Sequence, residues 1–239
     1  MIEVKNLIKS FKDGDTETKV LKGIDFKAEN GEFIAIMGRS GAGKSTLLYQ
    51  MSLLDEPTSG QIIIDGHNST SMSADQKSKF RLVTCGYVFQ DYALLPELTA
   101  LENVVLPLLM SGSARSGEAR QDDEVAYQKA KESLVKVGLG HRFNNLPSQL
   151  SGGEQQRVSI ARAIADQPKI LFADEPTANL DNESSSIVME IFNQLHQEGQ
   201  TIIMVTHEEL YAKMAEKIVK IDDGKIISIT LNNLRGRVS

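Results

Sequence analysis

Gly38-Arg39-Ser40-Gly41-Ala42-Gly43-Lys44-Ser45 is the stretch that decides how this chain folds. It fits the pattern of a glycine, four residues, then Gly-Lys-Ser/Thr. Glycines permit backbone angles that a Cβ forbids, so successive N–H groups can point inward at phosphate oxygens. A helix starting directly afterwards adds unpaired N–H groups and the positive end of its dipole. Lys44 brings a full positive charge to the β- and γ-phosphates, Ser45 a hydroxyl for Mg²⁺, and Thr46 a donor for the α-phosphate. The flanks agree. Gly31 to Met37 is a near-continuous apolar run of the kind that forms a buried parallel strand, and Ser45 to Leu54 reads as a helix. The expected ligand is a triphosphate with Mg²⁺.

Two further runs end in polar residues suited to the same chemistry. Ile170-Leu171-Phe172-Ala173 is an apolar strand followed by Asp174 and Glu175. Ligands of open α/β sheets bind beyond the carboxyl ends of the strands, which puts both acids on the edge expected for the phosphate loop. Asp174 is suited to the Mg²⁺ shell, and Glu175, one residue on, to polarising the attacking water. His207 follows Ile202-Ile203-Met204-Val205-Thr206, another strand expected to end on that edge, and could reach a γ-phosphate oxygen or the water. His67, His141 and His196 have no such position and receive no role.

Around these runs the chain alternates. Short strands precede the phosphate loop, separated by a polar loop over 12–19. Gln61 to Asp65 reads as a strand, and Val83-Thr84-Cys85 with Tyr87 as part of another. Thr99 to Glu102 has the form of a capping box, so a helix should begin there. A Ser/Gly-rich loop over 111–117 leads to a helix from Glu118 to Val137, stopped by Gly138. A further helix is expected to run from Ser151 to near Pro168, and an amphipathic one from Glu183 to His196. Strand, helix and strand in this order imply a parallel sheet with right-handed crossovers. The tail after Thr230, with Arg235 and Arg237, reads as loosely ordered.

Composition narrows the classes. The net charge of -6 is a poor match for sequence-independent nucleic-acid binding, which needs clustered Lys and Arg. The single cysteine, Cys85, rules out an internal disulfide and suits a reducing compartment. Residues 1–5 lack the apolar stretch of a signal peptide, and no apolar run approaches the ~20 residues of a membrane span.

Leu150-Ser151-Gly152-Gly153-Glu154-Gln155-Gln156-Arg157 is the second strong signal. Two glycines leave bare N–H groups at a helix start and Ser151 adds a hydroxyl, which makes an anion site. The same donors serve a plain helix cap, with Glu154 reaching back to Ser151, and both can hold at once.

With this string the chain resembles the ABC transporter ATPase family, from Phe11 to about Gly224. The string resembles the family's signature motif, here Ser151, Gly152, Gly153 and Glu154. Gln90 is similar to the Q-loop glutamine that contacts Mg²⁺ and water and senses the permease. Phe11 stands where the family carries an aromatic residue stacked on adenine, with Val20 beside it. Ala178-Asn179-Leu180-Asp181 resembles the D-loop. The resemblance implies one α/β domain over 1–239. Its P-loop NTPase (RecA-like) core would hold a mostly parallel sheet, with an N-terminal antiparallel β subdomain and an inserted helical subdomain over about 91–166. It also implies a head-to-tail homodimer, each ATP lying between one chain's phosphate loop and the other chain's signature. Glu175 would be the general base.

Within the family the chain is most similar to lipoprotein-release, macrolide-export and cell-division ATPases of the LolD, MacB and FtsE type. The stretches that carry this are Leu53 to Gly60, Leu94 to Val104 and Ala173 to Asp181. The implied partner is a separate integral membrane permease, and the implied location is cytoplasmic, peripheral on the inner face of the cell membrane. Phe11, Ala178, Glu208 and Arg39 depart from the commoner residues, and none of these changes removes a catalytic group. The loop over 111–123 lies in the helical region expected to face the partner. The alternative is a soluble ABC ATPase acting on ribosomes or nucleic acid, a class that usually carries two fused cassettes or a long coiled-coil insertion. This chain has neither.

Overall fold

Phe33–Met37 is buried at every residue. A strand covered on both faces has no reason to alternate, which explains the unbroken apolar run. The computed structural model describes residues 1–14, 16–111 and 119–232, with side chains at 119–122 set aside. Of the expected loop over 111–117, Ser111 ends a helix and the rest lies outside the described residues, as do Arg235 and Arg237.

In chain order the elements begin with β1 (Ile2–Asp13), β2 (Thr16–Ala28), β3 (Phe33–Met37), α1 (Lys44–Met51), β4 (Ser59–Ile64) and β5 (His67–Asn68). Next come α2 (Ala74–Thr84), β6 (Cys85–Val88), α3 (Ala100–Ser111), α4 (Ala119–Lys136) and α5 (Gly152–Ile164). The last are β7 (Ile170–Asp174), α6 (Asn182–Gln197), β8 (Thr201–Val205), α7 (Glu209–Ala212), β9 (Lys217–Asp222) and β10 (Lys225–Leu231). The chain divides into two units, Met1–Ser78 with Leu195–Ser239, and Lys79–Gln194.

The first unit holds two sheets. One is antiparallel, in the order β2-β1-β4-β5. The polar stretch over 12–19 is not a loop here. β1 runs to Asp13 and β2 starts at Thr16, and the two pair across Gly14, whose φ is 56°. Phe11 to Gly14 and Thr16 to Lys19 are exposed, so strand pairing needed no apolar alternation to form this end of the hairpin. In the other sheet β3 pairs in parallel with β8 and with β9, while β10 closes antiparallel on β9. His196 lies edge-on to Phe33, with ring centroids 5.7 Å apart, a packing role.

The second unit pairs β6 in parallel with β7, from Cys85 opposite Ile170 to Val88 opposite Ala173. α3, α4 and α5 pack on one another, and they arise from the stretch expected to be helical. The capping box forms as read: the Thr99 N–H donates to Glu102 Oε2 at 2.8 Å and the Glu102 N–H to Thr99 Oγ1 at 3.2 Å. α5 stops at Ile164, earlier than expected, because Gln167 turns left-handed at φ 51°. Val83 and Thr84 belong to α2, and the strand starts only at Cys85. Burial pushes the half-buried Cys85 thiol up to about 12, which makes it a poor nucleophile.

Candidate functional site

In the first unit β3 delivers the chain to the phosphate loop. Gly43 is the N-cap of α1 at φ 99°. A Cβ there would meet Leu21 Cδ2 at 3.0 Å and the Val20 carbonyl oxygen at 3.2 Å. Both the left-handed backbone and the close approach of β2 therefore require glycine. Among the described residues no side chain caps α1, and its first turn holds no acid. The positive end of its dipole thus faces no carboxylate of its own turn. Lys44 is 7% exposed, and its Nζ donates to the Arg39 carbonyl at 3.2 Å. The Ala42 N–H donates to the same oxygen at 3.2 Å, so the loop is curled around a buried ammonium. Arg39, Ser40 and Gly41 are exposed, while Ser45 and Thr46 sit half-buried in the first turn of α1.

Val20 lines the loop through its contact at Gly43. The Phe11 ring is 47% exposed, with Lys9 Nζ 4.9 Å from its centroid, so a cation already sits against it. His207 is exposed just past β8, where the Thr206 N–H donates to the Ile36 carbonyl at 3.1 Å. It lines a cavity of about 390 Å³ together with Gly38, Arg39, Glu209, Lys220 and Asp222.

In the second unit β7 ends at Asp174, which is 5% exposed. Glu175 follows at φ 45°, a left-handed conformation uncommon for a residue with a Cβ. The Ala178 N–H donates to the Glu175 carbonyl at 3.1 Å and closes the turn. Asp181 caps α6, accepting from the Ser184 N–H at 2.8 Å and the Ser184 hydroxyl at 2.9 Å, and these bonds lower its pKa. Gln90 lies exposed beyond β6, and its carbonyl accepts from Asn179 Nδ2 at 3.3 Å. Tyr92 and Ala93 then turn left-handed at φ 60° and 50°. Arg162 of α5 grips both of their carbonyls.

The signature start is a complete capping box. The Glu154 N–H donates to Ser151 Oγ at 3.2 Å and the Ser151 N–H to Glu154 Oε2 at 2.9 Å. Arg142 Nε donates to Glu154 Oε1 at 2.9 Å. Glu154 is thereby engaged as a cap, and the Ser151 N–H, then Arg142, hold its carboxyl below the usual range. A Cβ on Gly153 would stand 2.6 Å from Ser184 Oγ, so packing of α5 on α6 demands this glycine, apart from any ligand.

Ser45, Asp174 and Gln90 each offer oxygen, the donor type Mg²⁺ takes, and Mg²⁺ typically keeps several waters and leans on phosphates. Among the described residues no group of three or more His, Cys, Asp or Glu gathers. Sequence reasoning does not single out Tyr92, Gln156 or Arg162. The one local signal for Gln156 is a polar residue on the buried stripe Gly153, Gln156, Ile160 and Ala163 of α5.

The family model described as ABC transporter matches residues 21–178. An uncharacterized ABC transporter ATP-binding protein of Methanocaldococcus jannaschii, MJ1508, is 49% identical over 96% of this chain and 99% of its own length. The macrolide export ATP-binding/permease protein MacB of Aggregatibacter actinomycetemcomitans is 47% identical over 96% of this chain, which spans only 34% of that protein. Among solved structures, the dimeric cassette MJ0796 matches with TM-score 0.89 at 39% identity, covering 98% of this chain and 99% of that one. The same cassette in a dimeric post-hydrolysis state bound to ADP and Pi matches with TM-score 0.87 at 37% identity, over 98% of this chain and 99% of that one. A phosphate loop curled around a buried lysine, a capped signature helix and a family match over most of the chain have one meaning in common: the chain belongs to the ABC transporter family, as one of its ATPase cassettes.

Proposed function

We propose that this chain binds ATP with Mg²⁺ at Gly38 to Thr46, hydrolyses it, and uses the cycle to drive a separate integral membrane permease. The observation that carries this reading is the buried Lys44 ammonium inside a loop that opens an acid-free helix start. In this reading Ser45, Gln90 and Asp174 serve the Mg²⁺ shell, and Mg²⁺ supplies charge neutralisation for the departing phosphate. Glu175 takes the proton of the attacking water and His207 holds the γ-phosphate edge. Phe11 and Val20 cover the adenine.

Two copies close head to tail around ATP, with Ser151, Gly152 and Gly153 of each acting on the other's nucleotide and Asp181 at the seam. Opposed helix starts neutralise a polyanion better than one alone. The dimeric structures of the MJ0796 cassette support this. The helical stretch over about 91–166 is read as the insertion that meets the permease, in the manner of LolD-, MacB- and FtsE-type systems. The MacB relative, with its permease in the same chain, supports that pairing. Among the described residues no helix is long and apolar enough to cross a membrane. The chain would then sit on the cytoplasmic side as a peripheral subunit.

The test is co-purification from detergent-solubilised membranes with measurement of Mg²⁺-dependent ATP hydrolysis. A membrane protein partner and magnesium-dependent phosphate release are expected. Recovery with ribosomes or DNA and no membrane protein would reverse the reading.

A further inference from the structure

One buried amide in the second unit ties together the two turns that carry Gln90 and Glu175. Gln156 on α5 is fully buried, at 0% exposure. Its Nε2 donates to the Pro176 carbonyl at 2.9 Å and reaches the Phe89 carbonyl at 3.5 Å. Phe89 directly precedes Gln90, and Pro176 directly follows Glu175. Both neighbours are acceptors, so the network itself orients the amide with nitrogen toward them. The consequence falls on Oε1, which is buried and has no hydrogen-bond partner among the described residues. An orphaned buried acceptor lowers stability, and an apolar side chain of similar length would avoid that cost.

The segments it touches are strained. Glu175 stands at φ 45°, and two residues beyond Gln90 the backbone runs through φ 60° and 50°. Such conformations persist only where the surroundings over-determine them. At the far side of the Gln90 turn Arg162, from the same helix, supplies the second anchor. α5 therefore holds both turns by side chains, while its N-terminus carries the signature.

We propose that Gln156 is a positioning residue for ATP hydrolysis, its amide holding the Glu175 and Gln90 turns in one register so that both side chains address the same water. The proposal rests on the roles given above to Glu175 and Gln90. A shift of α5 would move both turns together.

The test uses the full chain with Gln156→Leu, and with Gln156→Met as a second variant of the same length. Thermal midpoint, equilibrium ATP binding, kcat and KM are measured. The expected outcome is a midpoint within a few degrees of wild type, since relief of the orphaned Oε1 offsets loss of the donor to the Pro176 carbonyl, with ATP affinity within about twofold and kcat reduced roughly tenfold to hundredfold, the scale of a small misplacement at a reacting centre. Wild-type kcat in a folded variant overturns the proposal. So does a loss of kcat that comes with a lowered midpoint and weakened ATP binding, or failure of both variants to fold, since each assigns Gln156 to stability. In a Glu175→Gln background, Gln156→Leu is expected to cost nothing further; an independent loss overturns the proposal. A Glu175→Gln chain that hydrolyses ATP at the wild-type rate sinks the role of Glu175 and this proposal with it. A severe Glu175→Gln loss beside an unaffected Gln156→Leu chain sinks this proposal alone.

Discussion

The starts of α1 and α5 look alike in sequence and differ in charge. Both are glycine-rich and both follow the same rule for attracting anions. At α1 the first turn holds no acid, and Lys44 is buried within the loop. At α5 the capping box closes on itself, and Glu154 places a carboxylate in the first turn, bound to Arg142. In the reading proposed above, the first start is the one that holds the phosphates. The second has part of its donor capacity spent on its own cap and a negative charge beside it. On the proposed reading it meets a nucleotide already held by the first start of a second copy.

The largest effect expected from breaking this contrast is on hydrolysis. Glu175→Gln should reduce turnover by about 10²–10⁴-fold while ATP binding persists, the usual contribution of a general base. The uncut nucleotide should hold both helix starts together, so sizing with ATP should report a dimer. A monomer under those conditions would mean that the α5 start does not act between chains. Next comes Lys44→Ala. Removing a charge-assisted contact to phosphate should weaken ATP affinity by about 10–100-fold in equilibrium binding. An unchanged affinity would erase the distinction drawn for α1.

Ser151→Ala should separate stability from sharing. Loss of the cap is worth about 1 kcal/mol in denaturant unfolding. ATP affinity of the isolated chain should not change, because that site is attributed to α1. Mixed with Lys44→Ala chains, Ser151→Ala chains should form heterodimers with at most one intact composite site, and full wild-type activity in the mixture would refute shared sites.

The smallest effect concerns acid. The Glu154 carboxyl is held below its ordinary value of 4.5 in the folded chain. A depressed folded value means that its contribution is present at neutral pH and drains away as pH falls below about 4.5 through the folded value. The stability gap between wild type and Glu154→Gln should therefore narrow on moving from pH 7 into that window. A gap that stays constant in denaturant midpoints at both pH values would remove the charge from the account of the α5 cap.

Much of the candidate site was legible in the chain. Gly43-Lys44-Ser45 and Ser151 to Glu154 are written in consecutive residues because a helix start is satisfied by its own neighbours. The buried runs at β3, β7 and β8 show in hydropathy because strands covered on both faces need apolar side chains throughout. α2 escaped although Ser73 and Gln76 cap its start, with the Ser73 N–H donating to Gln76 Oε1 at 2.9 Å. Its residues are mostly polar and only Thr84 is buried, so no apolar face announced the helix. The hairpin tip at Gly14 escaped for the same reason.

The sequence by itself determined the phosphate loop, the two capping boxes and the central strands, since each depends on residues within a turn or along one strand. Only the tertiary structure decided that Gly153 is required by Ser184 and that Arg162 grips the turn after Gln90. It alone decided that Gln156 spans from Phe89 to Pro176. Those contacts join residues far apart in the chain, and a side chain carries no mark of which distant carbonyl the fold will bring to it.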